Sequence, residues 1–174
     1  EGASGAEGQR QTGPTGQVDV SISAALILKR DVTFRVGLKD AAGNACGGDE
    51  FIKVNLGGDN GEAPETGTAR FTGLKEGTYT LTVYGDGFAT YTQEIPVGKG
   101  RERVRLMTGF VEIQDMSYTA GAAHPGVLLI GDVNGDGLVN DGDREALMDA
   151  IEGDGILSNP LADLNGDGVV DLVD

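Results

Sequence analysis

Residues 132–143 read DVNGDGLVNDGD, with an acid or an amide at the first, third, fifth, ninth and twelfth places. Carboxylates this close repel one another, so a chain that keeps them is built to hold a cation between them. The spacing says which one. Calcium is a hard cation that takes six to eight oxygens at about 2.4 Å. A loop wrapped around one ion turns alternate side chains inward, here Asp132, Asn134 and Asp136. The sixth place must turn sharply and holds Gly137, while the seventh, Leu138, lends only its main-chain carbonyl and so is free to be apolar. Asn140, at the ninth place, acts through water, and Asp143, at the twelfth, closes the loop from the first turn of a helix. Asp143 stands where Glu is usual, so the loop has to close more tightly to use both oxygens.

The pattern repeats at residues 163–174, DLNGDGVVDLVD, beginning 31 residues after Asp132. Asp163, Asn165, Asp167, Val169, Asp171 and Asp174 take places 1, 3, 5, 7, 9 and 12, with Gly168 at 6. The two loops agree at seven of twelve places, and a second copy in register makes chance a poor account of the first. Two calcium ions are therefore expected. A helix is predicted after the first loop, in DGDREALMDAIEG, with Asp141 as its cap, Leu147, Ala150 and Ile151 as its apolar stripe and Gly153 as its end. Neither loop has a helix signal before it, so each unit reads as loop then helix. The sequence ends on Asp174, so the second unit is expected to lack its exit helix. Val139 and Val170, both at place 8, are expected to pair where the loops sit back to back.

The charge agrees with a cation partner. The formal net charge is −15, and residues 131–174 hold twelve acids and one base, a net −11 that leaves −4 for the preceding 130 residues. Such a balance disfavours nucleic acid and anionic membrane as partners. No apolar run approaches the ~20 residues that cross a bilayer. Cys46 is the only cysteine, which excludes an intrachain disulfide and a Cys/His zinc site and reads as a loop or partly buried thiol. His124, the only histidine, lies in AGAAHPG and reads as a linker residue; Glu62 and Glu65 read as a solvated pair on a loop. No acid–base or nucleophile set is left for catalysis, so the chain is expected not to be an enzyme.

The elements that must carry the loops are mainly β. Residues 1–16, rich in Gly, Gln, Ser and Thr, read as a flexible linker. Alternation of apolar and polar residues then predicts strands in VDVSISAALIL, VTFRVGL, FIKVNL, within ARFTGLKEGTYTLTVY and in TYTQEIPV, and one or two more in RERVRLMTGFVEI, with turn residues between them. Short strands at about ten-residue spacing indicate a β-sandwich, placed at 17–117, with a linker at 118–130 and the calcium-binding module at 131–174.

Two resemblances add to this reading. FTGLKEGTYTLTV…GFATY, within residues 17–113, resembles the immunoglobulin/prealbumin-like sandwich of carboxypeptidase regulatory-like domains and of the B-type repeats of Gram-positive surface proteins. Some of those surface proteins carry a Lys–Asn crosslink; Lys29 lies near a first strand, but RERVRLM offers no Asn, so no crosslink is expected. GDVNGDGLVNDGDREALMDAIEG and ADLNGDGVVDLVD, about residues 131–174, resemble a dockerin. That resemblance implies a small α calcium-binding module that docks on a cohesin-like partner, in a secreted, extracellular or cell-surface bacterial protein of a cellulosome-like, polysaccharide-degrading system. It also implies partner-reading residues at Asp141, Gly142, Met148, Asp149, Leu172 and Val173, where the family's Ser/Thr and Lys/Arg pairs are absent. The alternative expectation is a calcium-stabilised structural subunit of an extracellular fibre or surface assembly, whose partners are copies of itself.

Overall fold

The computed structural model describes residues 15–24, 31–55, 66–109, 117–118, 126–157 and 159–174. The strands are β1 (Gly16–Ala24), β2 (Asp31–Asp40), β3 (Glu50–Asn55), β4 (Gly67–Leu74), β5 (Gly77–Tyr84), β6 (Tyr91–Val97), β7 (Arg101–Gly109), β8 (Ser117–Tyr118), β9 (Val127–Leu129) and β10 (Val139–Asn140), followed by the helix α1 (Asp141–Glu152). Single-turn 3-10 helices follow at Gly155–Leu157 and Pro160–Ala162. Most of the residues read as the N-terminal linker, together with Lys29, Glu62, Glu65, His124 and most of 118–130, lie outside the described residues.

Two four-stranded sheets form a β-sandwich. One has the order β4-β1-β7-β9 and the other β3-β2-β5-β6. In the second sheet every pair is antiparallel, whereas in the first β1 runs parallel to β7 and β7 parallel to β9. The alternation that predicted the strands is the alternation of burial. On β1, Val18, Val20 and Ile22 face inward; on β2, Val32, Phe34, Val36 and Leu38; on β5, Tyr79, Leu81 and Val83. Each such side chain, fully removed from water, stabilises the fold by about 1.5–3 kcal/mol before ordering costs. Tyr79 turns its hydroxyl back to donate to the Lys75 carbonyl at 2.9 Å, which pins the entry into β5. Cys46 sits half-buried after β2, with its thiol pushed up by burial and by the Asp40 carboxylate.

The sequence reading of 118–130 as linker needs correcting at its end. Val127–Leu129 forms the fourth strand of the first sheet, with Met107, Thr108 and Gly109 of β7 opposite. Leu128, Leu129 and Ile130 are buried, so this short apolar run belongs to the sandwich core. Tyr91 reinforces it from the other sheet: its ring is buried, its hydroxyl donates to Gln93 Oε1 at 2.7 Å and accepts from the Gly126 amide at 2.9 Å.

Asp19 ties the outer face of the first sheet together. Its carboxylate meets Arg70 Nε of β4 at 2.9 Å and Arg101 Nε of β7 at 3.2 Å. Burial pushes its carboxyl up, but hydrogen bonds from Arg70 and Gln17 and the charges of Arg70 and Arg101 outweigh that and hold it below the ordinary 3.8. A lowered folded-state value contributes stability above the ordinary value, and that stability is lost as pH falls through the folded one. Asp19→Asn is therefore expected to cost about 1 kcal/mol at neutral pH, a modest figure because both guanidinium groups are half-exposed and screened. The gap between the melting curves of the two proteins should start to narrow as pH falls to about 3.8 and close below the lower folded-state value; a gap that stays constant from pH 7 to pH 2 contradicts the ionic origin.

Candidate metal centre

The loops are shaped by their own carboxylates. In the first, Asp132 Oδ1 accepts from the amides of Gly135 at 2.8 Å and Asp136 at 3.1 Å, and its Oδ2 from Gly137 at 2.8 Å. Asn134 accepts from Asp136, Asp136 from Leu138 and Asn140 from Gly142. Asp143 spans the loop, with Oδ1 accepting from Val133 and Asn134 and Oδ2 from Asn140. The second loop repeats most of this scheme, without a counterpart, among the described residues, to the Val133–Asp143 bond. Asp163 Oδ1 accepts from Gly166 and Asp167 and its Oδ2 from Gly168; Asn165 accepts from Asp167, Asp167 from Val169, Asp171 from Val173. Asp174 closes it onto Asn165 and Asp171. Gly135, Gly137, Gly166 and Gly168 all have φ between 75° and 88°, the left-handed turn that places 4 and 6 require.

The place-2 residues, between the first two inward side chains, face the core. Val133 and Leu164, both at place 2, are buried, as are Ala150 and Ala162. Asn159 joins the units: its side chain accepts from the Leu161 amide and donates to the Val133 carbonyl at 3.0 Å. Helix α1 starts one residue earlier than the sequence suggested. Asn140, not Asp141, is the cap, with Asp143 reaching back to the Asn140 amide in a capping box, and Gly153 ends the helix as expected. Val139 does not pair with Val170 among the described residues; its strand β10 pairs with β8 through Tyr118.

Asp132, Asp143 and Asp163 are buried, with 4–7 % exposure, and among the described residues no Lys or Arg pairs with any of them. Burial pushes the Asp132 carboxyl up, the Gly137 and Gly135 amides pull it back, and the Asp143 and Asp136 carboxylates push it further up. Asn134, Asp136, Leu138, Asp167, Val169 and Asp171 are exposed, and Asn140, Asn165 and Asp174 half-buried. Among the described residues no three His, Cys, Asp or Glu side chains converge as a ready cluster. The set that spacing assigns to each loop also draws on amides and a main-chain carbonyl, and its carboxylates are held by backbone amides here. The donor chemistry, all oxygen and mostly anionic, fits calcium.

The first loop is clamped to the sandwich, which the sequence did not reveal. The Gly131 and Asp132 amides donate to the Gly87 carbonyl at 2.8 and 3.2 Å, and the Thr90 amide donates to the Gly137 carbonyl at 2.9 Å. These partners lie in the turn between β5 and β6, beside a cleft of about 450 Å³ lined by Arg35, Tyr84, Thr90, Asp132 and Asp136. A Cβ on Gly137 would stand 2.7 Å from Thr90 Oγ1, whereas one on Gly135 would meet nothing closer than Leu161 at 3.8 Å. Gly135→Ala is thus expected to cost about 1 kcal/mol through backbone strain alone, and Gly137→Ala at least about twice that. Thermal melts of the two variants decide it, since equal losses would mean that the clamp contributes nothing.

Residues 60–104, a quarter of the chain that includes β4, β5 and β6, match the family described as polysaccharide lyase family 4, domain II, a fibronectin-type-III-like, non-catalytic domain. No curated protein matches the chain. Among the described residues, no helix is long and apolar enough to cross a membrane.

Proposed function

We propose that this chain is a calcium-dependent docking module, dockerin-like at residues 131–174, whose sandwich serves as spacer in a secreted bacterial protein acting on polysaccharides. The observation that carries it is the set of buried carboxylates, Asp132, Asp143 and Asp163, that no side-chain cation neutralises among the described residues, in two loops with the same amide scheme. An uncompensated buried charge is costly, and a bound cation removes that cost. Asp132, Asn134, Asp136, the Leu138 carbonyl, Asn140 and Asp143 would hold one ion, and Asp163, Asn165, Asp167, the Val169 carbonyl, Asp171 and Asp174 the other. Calcium would supply folding free energy to the loops. Exposed apolar residues on the same module, Met148, Val169, Leu172 and Val173, support a protein partner of the cohesin kind. The matched family supports an extracellular role beside polysaccharide, and its non-catalytic character suits a spacer rather than an enzyme.

Size-exclusion chromatography with light scattering, in millimolar calcium and in chelator, tests this. The expected result is a compact monomer in calcium that expands in chelator and gains mass when a cohesin is added in calcium. Calcium-dependent assemblies of the chain alone would instead mean a structural subunit. Identical behaviour in both buffers would remove calcium from the account.

A further inference from the structure

The basic residues of this acidic chain are not scattered. Four of its eight arginines, Arg70, Arg101, Arg103 and Arg105, lie at alternate, outward-facing positions of β4 and β7, on the outer face of the first sheet. Between them runs β1, whose outward residues are Gln17, Asp19, Ser21 and Ser23, so Asp19 is the one acid at the alternate outward positions of these three strands, while Glu102 is exposed at the opposite alternation at the start of β7. Asp19 is already engaged by Arg70 and Arg101. Arg103 and Arg105 are exposed, and among the described residues neither has a carboxylate partner. Register sets Arg103 beside Asp19 and Arg105 beside Ser21, with Thr68 on the far side of Ser21.

Successive outward residues of a strand stand about 6.7 Å apart, so Arg101, Arg103 and Arg105 form a straight row about 13 Å long. Guanidinium groups bind carboxylates with two parallel hydrogen bonds, and neighbouring hydroxyls suit a hydroxyl-rich ligand. Within a chain of net −15, this face is where a polyanion meets attraction. No outward Trp, Tyr or Phe lies on these strands, so stacking on neutral sugar rings has no platform here.

We propose that the outer face of the β4-β1-β7 sheet binds an extended, carboxylate-bearing polysaccharide laid along β7, with Arg103 and Arg105 as its principal contacts. The charge row gives the anionic part, and the match of residues 60–104 to a domain of polysaccharide lyases, with the hydroxyls of Ser21, Ser23 and Thr68 beside the row, favours a polysaccharide over an acidic protein surface. The inference does not depend on calcium in the loops.

The test is titration of the full chain with polygalacturonate in chelator, where neither loop calcium nor calcium-bridged polymer contributes. Wild type is expected to bind polygalacturonate, to ignore neutral dextran and to weaken as salt rises. Arg103→Gln with Arg105→Gln is expected to weaken binding about tenfold, through two exposed charge contacts. The charge-matched pair Lys39→Gln with Lys53→Gln, on the other sheet, should change it little. Circular dichroism checks that the sandwich of each variant remains folded. Absence of wild-type binding overturns the proposal, and so does equal loss in both double variants, which would mean that overall charge rather than the arginine row sets the binding. Self-association of wild type without polymer, abolished by the Arg103/Arg105 variant, would make a second copy's acidic loops the occupant and also overturn it. None of these failures bears on the calcium reading, which the chelator comparison above tests separately.

Discussion

Asp132→Asn is expected to weaken calcium binding at the first loop by on the order of a hundredfold while changing the metal-free protein by no more than about 1 kcal/mol. The asymmetry comes from the two tasks of one side chain. In the metal-free loop, the Asn oxygen keeps the amides of Gly135 and Asp136, and only the Gly137 amide loses its acceptor. Against that loss stands the relief of a buried charge, disfavoured first by burial and further by Asp143 and Asp136. With calcium the charge is needed, and nothing offsets its removal. A protein held at a hundred times its dissociation constant gains about 2.7 kcal/mol from one site. The variant should lack most of that gain, so its deficit appears in calcium and nearly vanishes in chelator. Urea denaturation in both buffers, with calorimetric titration of calcium, measures it. Equal destabilisation in the two buffers would assign Asp132 a purely architectural role.

The second large effect is expected at Phe34. Its ring is fully buried and meets Phe88 edge to face, with centroids 5.1 Å apart and planes at 67°. Phe34→Ala removes that pair and leaves a cavity between the sheets, a loss of about 3–5 kcal/mol. Phe88 immediately follows Gly87, whose carbonyl holds the amides of Gly131 and Asp132. The truncation should therefore also lower calcium affinity at the first loop more than at the second. A stability loss under about 1.5 kcal/mol would show that the site collapses without strain, and equal affinity losses would sever the link between core and clamp.

The parts of the molecule that the sequence announced are those encoded locally. Ligand spacing in DVNGDGLVNDGD and DLNGDGVVDLVD foretold the turn at place 6, though not the one at place 4, and the helix after the first loop, because each depends on residues within a dozen positions. Strands β1 to β7 were legible from period-two alternation, which burial on one face produces. What stayed hidden depends on distant partners. VLLI at 127–130 has no alternation because its strand is buried, and its parallel pairing with β7 is settled by tertiary packing. The clamp from Gly87 and Thr90 uses main-chain groups, which leave no trace in residue types. The cap fell on Asn140 rather than Asp141 because Asp143 also closes the loop, and one residue's shift lets it do both. Arg101, Arg103 and Arg105 were visible as alternation, but their meeting with Arg70 on one face needed the order β4-β1-β7.

The parallel neighbours in the first sheet have a mechanical consequence. A pull applied at Gly16 drags β1 from its start, while a pull applied at Gly131 draws on the end of β9. Because β1, β7 and β9 all point the same way, these forces slide the strands past one another along their length. The ladder from Gln17–Arg101 to Ala24–Thr108, and the three-pair ladder from Met107–Val127 to Gly109–Leu129 in series with it, are then each loaded all at once rather than peeled rung by rung. Single-molecule stretching between those two points should meet a higher rupture force than a pull across the sheet, the behaviour wanted of the proposed spacer under tension. The same ladder gripped across the sheet, at Gly16 and Arg101, would unzip at a far lower one.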